Sequence, residues 1–166
     1  MPMNEPITGR IFKFGDNINS DIIIAGKYLI YIDPDKLAEH AFEVLGPDYP
    51  DKLRDFDILV AGRNFGCGSA REQAATALIG LGLKAVVATS FARTFYRNAI
   101  NAGLPIAECP ELVDAVAEGD SLTMDLAEGE IRSGDHTYTF PKFPDSVRQL
   151  LEVGGLAEYL KAQYQN

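Results

Sequence analysis

The sequence predicts an α/β fold: a parallel α/β core with a small added β section, organised as a single domain over residues 1–166. Two observations carry this. Apolar runs at 56–61, 84–89 and 104–107 alternate with helical stretches, the rhythm of parallel strands joined by right-handed crossovers. Short β-type segments at 121–126, 130–132 and 137–140 then follow, joined by turns at Gly129 and Gly134-Asp135.

Composition narrows the function classes. The 166 residues are 46% hydrophobic and 23% charged, which suits a globular chain with a sizeable core. The formal net charge is -9, with no Lys/Arg cluster, so the electrostatic footprint of a nucleic-acid binder is missing. Such a surface also disfavours anionic membranes, and no apolar run approaches the 18 residues of a membrane span. The chain has only two cysteines, Cys67 and Cys109, and two histidines, His40 and His136. Iron–sulfur clusters usually need four thiolates, and a dedicated zinc site is equally unsupported. Reduced cysteines and a cytoplasmic location are expected; a disulfide between the two is unmotivated.

In order along the chain, residues 1–7 are expected to be loose and 8–14 to form a strand. Gly15-Asp-Asn-Ile-Asn-Ser-Asp21 is Asx- and Gly-rich turn chemistry. Residues 22–24 are apolar. The stretch 26–33 places Tyr28, Leu29, Ile30, Tyr31 and Ile32 in a row between turn signals, and reads either as a buried strand or as an exposed apolar loop. Pro34 opens a helix carrying Leu37, Ala38, Ala41 and Phe42, broken by residues 46–50. After the strand at 56–61, Ser69 and Glu72 form the pattern of a capping box for a helix with Ala74, Ala75, Leu78 and Leu81 on one face. Ser90 is placed to cap a further helix to about 101, with Phe91, Phe95 and Ala99 on one side. Arg93 and Arg97 share a face of it and read first as structural ion-pair partners, with substrate ligation as the alternative. A short helix over 110–117 precedes the β section, and two terminal helices, 144–153 and 155–163, are separated by Gly154-Gly155.

Everything is organised around the strand–turn–helix at 56–82. Gly62, Gly66 and Gly68 allow tight turns, and Ser69 and Arg71 stand beside a helix start, a place suited to an anion. Four readings compete. A dinucleotide site fails because Arg71 occupies the third glycine position and Thr89 and Ser90 stand where an acidic ribose ligand belongs. A purely structural turn has Ser69 capping, Arg71 paired with a nearby acid and Cys67 packed. A carboxylate-handling site uses Ser69, the backbone N–H groups and Arg71. Cys67 as nucleophile would need His40 or His136 as its base.

Asn64-Phe-Gly-Cys-Gly-Ser-Ala-Arg-Glu-Gln-Ala74 closely resembles the N-(F/Y)-G-x-G-S-S-R-E-x-A segment of the aconitase superfamily. Residues 15–21 are similar to its G-D-N-(I/V)-x-T-D stretch. Residues 90–104 resemble the S-F-A-R-I-F-Y-R-N-A-I-N-x-G-L run of its stand-alone small subunits, and 154–160 resemble their C-terminal helix. The four stretches lie in order across about 8–161. The resemblance is to small subunits of the isopropylmalate dehydratase and homoaconitase type. It implies a swivelling β/β/α domain and a separate large subunit carrying a 4Fe-4S cluster, with no cofactor bound by this chain.

The activity it implies is dehydration and rehydration of a 2-hydroxy diacid, converting 2-isopropylmalate to 3-isopropylmalate in leucine biosynthesis. The partner would make a heterodimer or heterotetramer; an isolated chain is open to forming a homo-oligomer. By resemblance, Ser69 removes the carbon proton and Asp21 supports it by orienting a partner histidine or water. Arg71 binds a substrate carboxylate beside Gly68 and the Ala70 backbone N–H. Ala70 departs from the family's usual second serine and removes a hydroxyl donor. Members acting on a charged extra arm carry an arginine just after the Tyr-Leu pair. Here Ile30 and Tyr31 stand there, and an unpaired carboxylate against isoleucine costs several kcal/mol, so an alkyl substituent is expected. The same residues could instead be ordinary core. Citramalate (methylmalate) isomerisation, 2,3-dimethylmalate dehydration, homoaconitase activity and a non-catalytic binding module that keeps the fold are the alternatives.

Overall fold

A computed structural model describes residues 3–165. Strand β1 (Ile7–Lys13) lies at the centre of the sheet and opens the chain. A helical excursion follows: α1 (Ser20–Ile23), a 3-10 turn over Gly26–Tyr28, α2 (Pro34–Ala38), a second 3-10 turn over Glu43–Leu45, and α3 (Tyr49–Leu53). The parallel core is β2 (Ile58–Ala61), α4 (Glu72–Gly80), β3 (Ala85–Ala88), α5 (Arg93–Ala102) and β4 (Ile106–Glu108). Then come α6 (Pro110–Ala115), β5 (Ser121–Asp125), β6 (Glu130–Ser133), β7 (His136–Thr139), α7 (Asp145–Val153) and α8 (Leu156–Tyr164).

Among the described residues the strands form one seven-stranded sheet, ordered β4-β3-β2-β1-β5-β6-β7. The half from β1 to β4 is parallel, with Ile11 opposite Ile58 and Val60 opposite Val87. The other half is antiparallel and joins through β1, where Ile7 faces Met124. Steps from β2 to β3 to β4 run in one direction, so right-handed crossovers put α4 and α5 on the same face. There they pack together, with α2 against α4 and the α7–α8 hairpin against α5.

Every residue of β2 and β3 is buried, so the opposite face must be covered too. The antiparallel half folds back over it: the Cys109 thiol, just beyond β4, donates at 3.5 Å to the carbonyl of Thr139 in β7, at the other end of the strand order, and Phe140 and Phe143 share a cavity wall with Ile106 and Ala107 of β4. The layers are therefore β/β/α, as the swivelling domain requires.

Several expectations are corrected. Of the two readings of 26–33 the buried strand falls and the exposed apolar loop stands: Ile30 is 80% and Ile32 85% exposed, while Tyr28, Leu29 and Tyr31 are half-buried against the core. The helix opening at Pro34 stops at Ala38, because Phe42 adopts φ 58° and turns its N–H onto the Ile23 carbonyl at 2.9 Å. Of the segment 1–7 expected to be loose, Met3 is buried and Ile7 pairs in β1; Met1 and Pro2 lie outside the described residues.

Candidate active site

Three loops leave the C-terminal ends of β1, β2 and β3 side by side, the edge at which parallel sheets bind ligands. Backbone hydrogen bonds zip them together. Gly62 donates to Gly15, Asn17 to Arg63, Gly66 to Ile18, and Ser20 to Cys67, at 2.7–3.0 Å. On the other side Phe65 donates to the Ser90 carbonyl and Ala92 to the Phe65 carbonyl. Gly66 has φ 81°, and a Cβ there would fall 2.3 Å from the Phe95 ring, so only glycine fits.

The zipping carries residues 19–21 against 67–71. Ser20 is the buried polar side chain of the core, 2% exposed, and its hydroxyl donates to the Ser69 carbonyl at 2.5 Å. That bond fixes the Ser69 backbone while the residue stays exposed, between exposed Gly68 and Ala70. Arg71 lies below, its side chain 15% exposed. One guanidinium nitrogen meets Asp21 Oδ1 at 2.5 Å and another donates to the Ile24 carbonyl at 3.0 Å. Guanidinium has five N–H donors, so this arrangement orients the fork and leaves donors for a ligand.

The two serine caps are corrected here. Helix α4 begins at Glu72, its N-cap is Arg71 at φ -139° with no side-chain cap bond, and Ser69 stands outside it. Helix α5 begins at Arg93, and the Ser90 hydroxyl instead accepts from the Asn64 N–H at 2.9 Å. Ser69 and Ala70 thus sit on the bend that leads into α4 rather than in its first turn.

The structure brings Ser69, Gly68, Ala70, Arg71 and Asp21 together. Asp21 meets Arg71 directly, which the sequence did not assign to it. Ile30 and Tyr31 belong to a neighbouring loop fastened to the same strand–helix unit: Gln73 Nε2 donates to the Leu29 carbonyl at 3.3 Å, and a Cβ added at Gly26 would fall 3.6 Å from the Arg71 fork. Ser20 was missed, though it stands inside the Gly15–Asp21 turn pattern. Arg93 and Arg97 are corrected as well: both are exposed, and among the described residues neither makes an ion pair.

Cys67 and Cys109 are free thiols. Burial pushes the Cys109 thiol up from its ordinary pKa. His40 is bound to Glu43 and stacked on Tyr28, and His136 sits on β7 beside Tyr138; among the described residues neither imidazole is hydrogen-bonded to Cys67. No group of three or more His, Cys, Asp or Glu among the described residues could hold a metal ion. The donor set does not fit an iron–sulfur cluster, which needs convergent thiolates. No helix of the described residues is long and apolar enough to cross a membrane.

A family model described as the aconitase C-terminal domain matches residues 22–110. The chain is 45% identical over 157 residues to a 3-isopropylmalate dehydratase small subunit of Halothermothrix orenii, covering 93% of this chain and 95% of that one. It is also 45% identical over 161 residues to an isopropylmalate/citramalate isomerase small subunit of Methanocaldococcus jannaschii, covering 96% of each. A crystal structure of 3-isopropylmalate dehydratase from the same organism superposes with a TM-score of 0.88 at 42% identity, over 97% of this chain and 96% of that one. The chain therefore belongs to the aconitase C-terminal domain family, among the stand-alone small subunits of 3-isopropylmalate dehydratase.

Proposed function

We propose that this chain is the small subunit of a cytoplasmic hydro-lyase that isomerises 2-isopropylmalate to 3-isopropylmalate by dehydration and rehydration. The observation that carries the reading is Ser69 held on an exposed turn by buried Ser20, with the Asp21-oriented Arg71 fork two residues on and Gly68, Ser69 and Ala70 all open to solvent. That is half of an active site. The large subunit, in a heterodimer or heterotetramer, closes it.

Dehydration breaks a carbon–hydrogen bond beside one carboxylate and a carbon–oxygen bond at the neighbouring carbon, leaving a double bond. A 4Fe-4S cluster on the large subunit would supply the Lewis acid that helps hydroxide leave. This chain supplies the rest. Ser69 Oγ takes the carbon proton and returns it to the neighbouring carbon in the second half. A free serine is a weak base, so its oxyanion needs donors and positive charge close by. Arg71 holds a substrate carboxylate with the donors that Asp21 and Ile24 leave free, and Gly68 and the Ala70 N–H approach it without side-chain hindrance. Asp21 keeps the fork aimed. Ile30, with Tyr31 behind it, faces the substituent and offers apolar surface, which fits isopropyl. The isomerase relative named for both isopropylmalate and citramalate supports methyl as a second substituent.

The test is anaerobic reconstitution with the large subunit, following the absorbance of the unsaturated diacid with 2-isopropylmalate, citramalate and homocitrate. Turnover is expected only in the mixture and best with 2-isopropylmalate. Ser69→Ala should lower kcat by about 10²–10⁴-fold with assembly intact. An unchanged rate would remove Ser69 from the chemistry; an assembled complex inactive on every substrate would favour a binding module.

A further inference from the structure

The loop that carries Ile30 has little structure of its own. A 3-10 turn over Gly26–Tyr28 is followed by a turn in which Tyr31 N–H donates to the Tyr28 carbonyl, and Ile30 projects 80% exposed. A tip so exposed selects a substituent only if its height above Arg71 is fixed. Packing under the loop supplies that restraint, and it converges on one side chain. The Tyr28 ring stacks on the His40 imidazole, centroids 3.8 Å apart and planes within 6°. The Tyr31 ring lies parallel to the same imidazole, within 9° and 6.3 Å away. Tyr28 precedes Ile30 by two residues and Tyr31 follows it by one, so both flanks of the tip rest on a single ring.

His40 is itself anchored. Leu37, Ala38, Ala41 and Phe42 around it are wholly buried, and its Nδ1 lies 2.9 Å from Glu43 Oε2. Tyr28 and then His40, as hydrogen-bonding neighbours, hold the Glu43 carboxyl below its ordinary range, so the carboxylate that anchors the imidazole also feels the loop's tyrosine. We infer that His40, backed by Glu43, is a positioning residue that sets the height of Ile30 through Tyr28 and Tyr31, and thereby the preference between branched and small alkyl malates. The inference rests on Ile30 being the residue that meets the substituent.

The experiment uses the reconstituted complex with His40→Ala, His40→Phe, His40→Gln and Ile30→Ala, reading kcat and KM for 2-isopropylmalate and citramalate. Amide hydrogen exchange over 26–32 is read on the assembled complexes. His40→Ala should lower the ratio of kcat/KM for 2-isopropylmalate to that for citramalate by about 10-fold, the size that one or two carbons command in an apolar pocket. The change should appear in KM, and loop exchange should accelerate. His40→Phe keeps the stack and should recover most of the ratio; His40→Gln keeps a bond to Glu43 but no ring and should not. A shifted ratio in Ile30→Ala with none in His40→Ala overturns the inference and leaves the loop reading standing. No shift in either removes the loop reading, and with it the inference. If the wild-type complex turns over neither substrate, the functional reading fails, and unchanged exchange in His40→Ala still overturns the restraint assigned to His40.

Discussion

Arg71 shows how much a single side chain carries. Its fork meets a carboxylate and a backbone carbonyl from a segment 47–50 positions earlier, and stays only 15% exposed. Lysine at this position keeps the charge but presents a point donor on a flexible stem, unable to hold Asp21, the Ile24 carbonyl and a substrate carboxylate in one plane. A charge-assisted hydrogen bond is worth about 1.5–3 kcal/mol, so Arg71→Lys should lower kcat/KM of the complex by about 10–10²-fold, with Tm nearly unchanged. Unaltered kinetics would show that the fork only braces the loops. Cys109 makes a second residue-scale case. Its folded-state pKa is raised by burial, so above the ordinary thiol range the unfolded chain loses a proton that the folded chain keeps. Stability is therefore full below that range and falls as pH rises through it. Thermal unfolding between pH 8 and 10 should show a decline that Cys109→Ala reduces; an equal decline in both would assign it to other groups.

At the scale of elements, close backbone approach decides what α4 tolerates. Alanine at Gly80 would gain about 1 kcal/mol of helix propensity inside a free helix. Its Cβ, however, would fall 2.1 Å from the Pro34 carbonyl oxygen and 2.9 Å from Ala38 Cβ, where α2 crosses. Overpacking against backbone costs about 1–3 kcal/mol or more, so the clash wins and Gly80→Ala should lower Tm by several degrees in a thermal melt. A rise would mean that α2 yields freely. The same contest between local preference and tertiary contact explains what could be read from the sequence. Strands β2, β3 and β4 were legible because buried parallel strands are near-continuous apolar runs, and β5 to β7 because turns punctuate them. The caps were not, since Ser90 serves Asn64 and Ser69 is held outward by Ser20. The Asp21–Arg71 pair has no local signal at all: it exists because two loops run in register beyond β1 and β2. Motif resemblance singled out the two loops that meet there, while residue periodicity alone left a structural turn equally open.

For the molecule as a whole, the governing fact is that the site is open and the chain is acidic. The net charge is -9, so a dianionic diacid approaches against the overall field. The Arg71 guanidinium is already paired with Asp21. The free chain can therefore offer a diacid a few hydrogen bonds on an exposed turn, at about 1.5–3 kcal/mol each when charge-assisted. Fixing the ligand costs about 4 kcal/mol at the least, before any side chain is ordered. The balance leaves a dissociation constant no better than about 1 mM, equivalent to roughly 4 kcal/mol of net binding. Titration of the isolated chain with 2-isopropylmalate, followed by the amide resonances of Gly66, Gly68, Ser69 and Ala70, should stay linear up to about 0.1 mM and show no saturation below about 1 mM. On the proposed reading the assembled complex should saturate well below it, because a partner that closes the same edge removes water and strengthens every charge-assisted bond there. Saturation of the isolated chain at micromolar diacid would mean that this subunit carries a complete binding site of its own, and that the half-site reading is wrong.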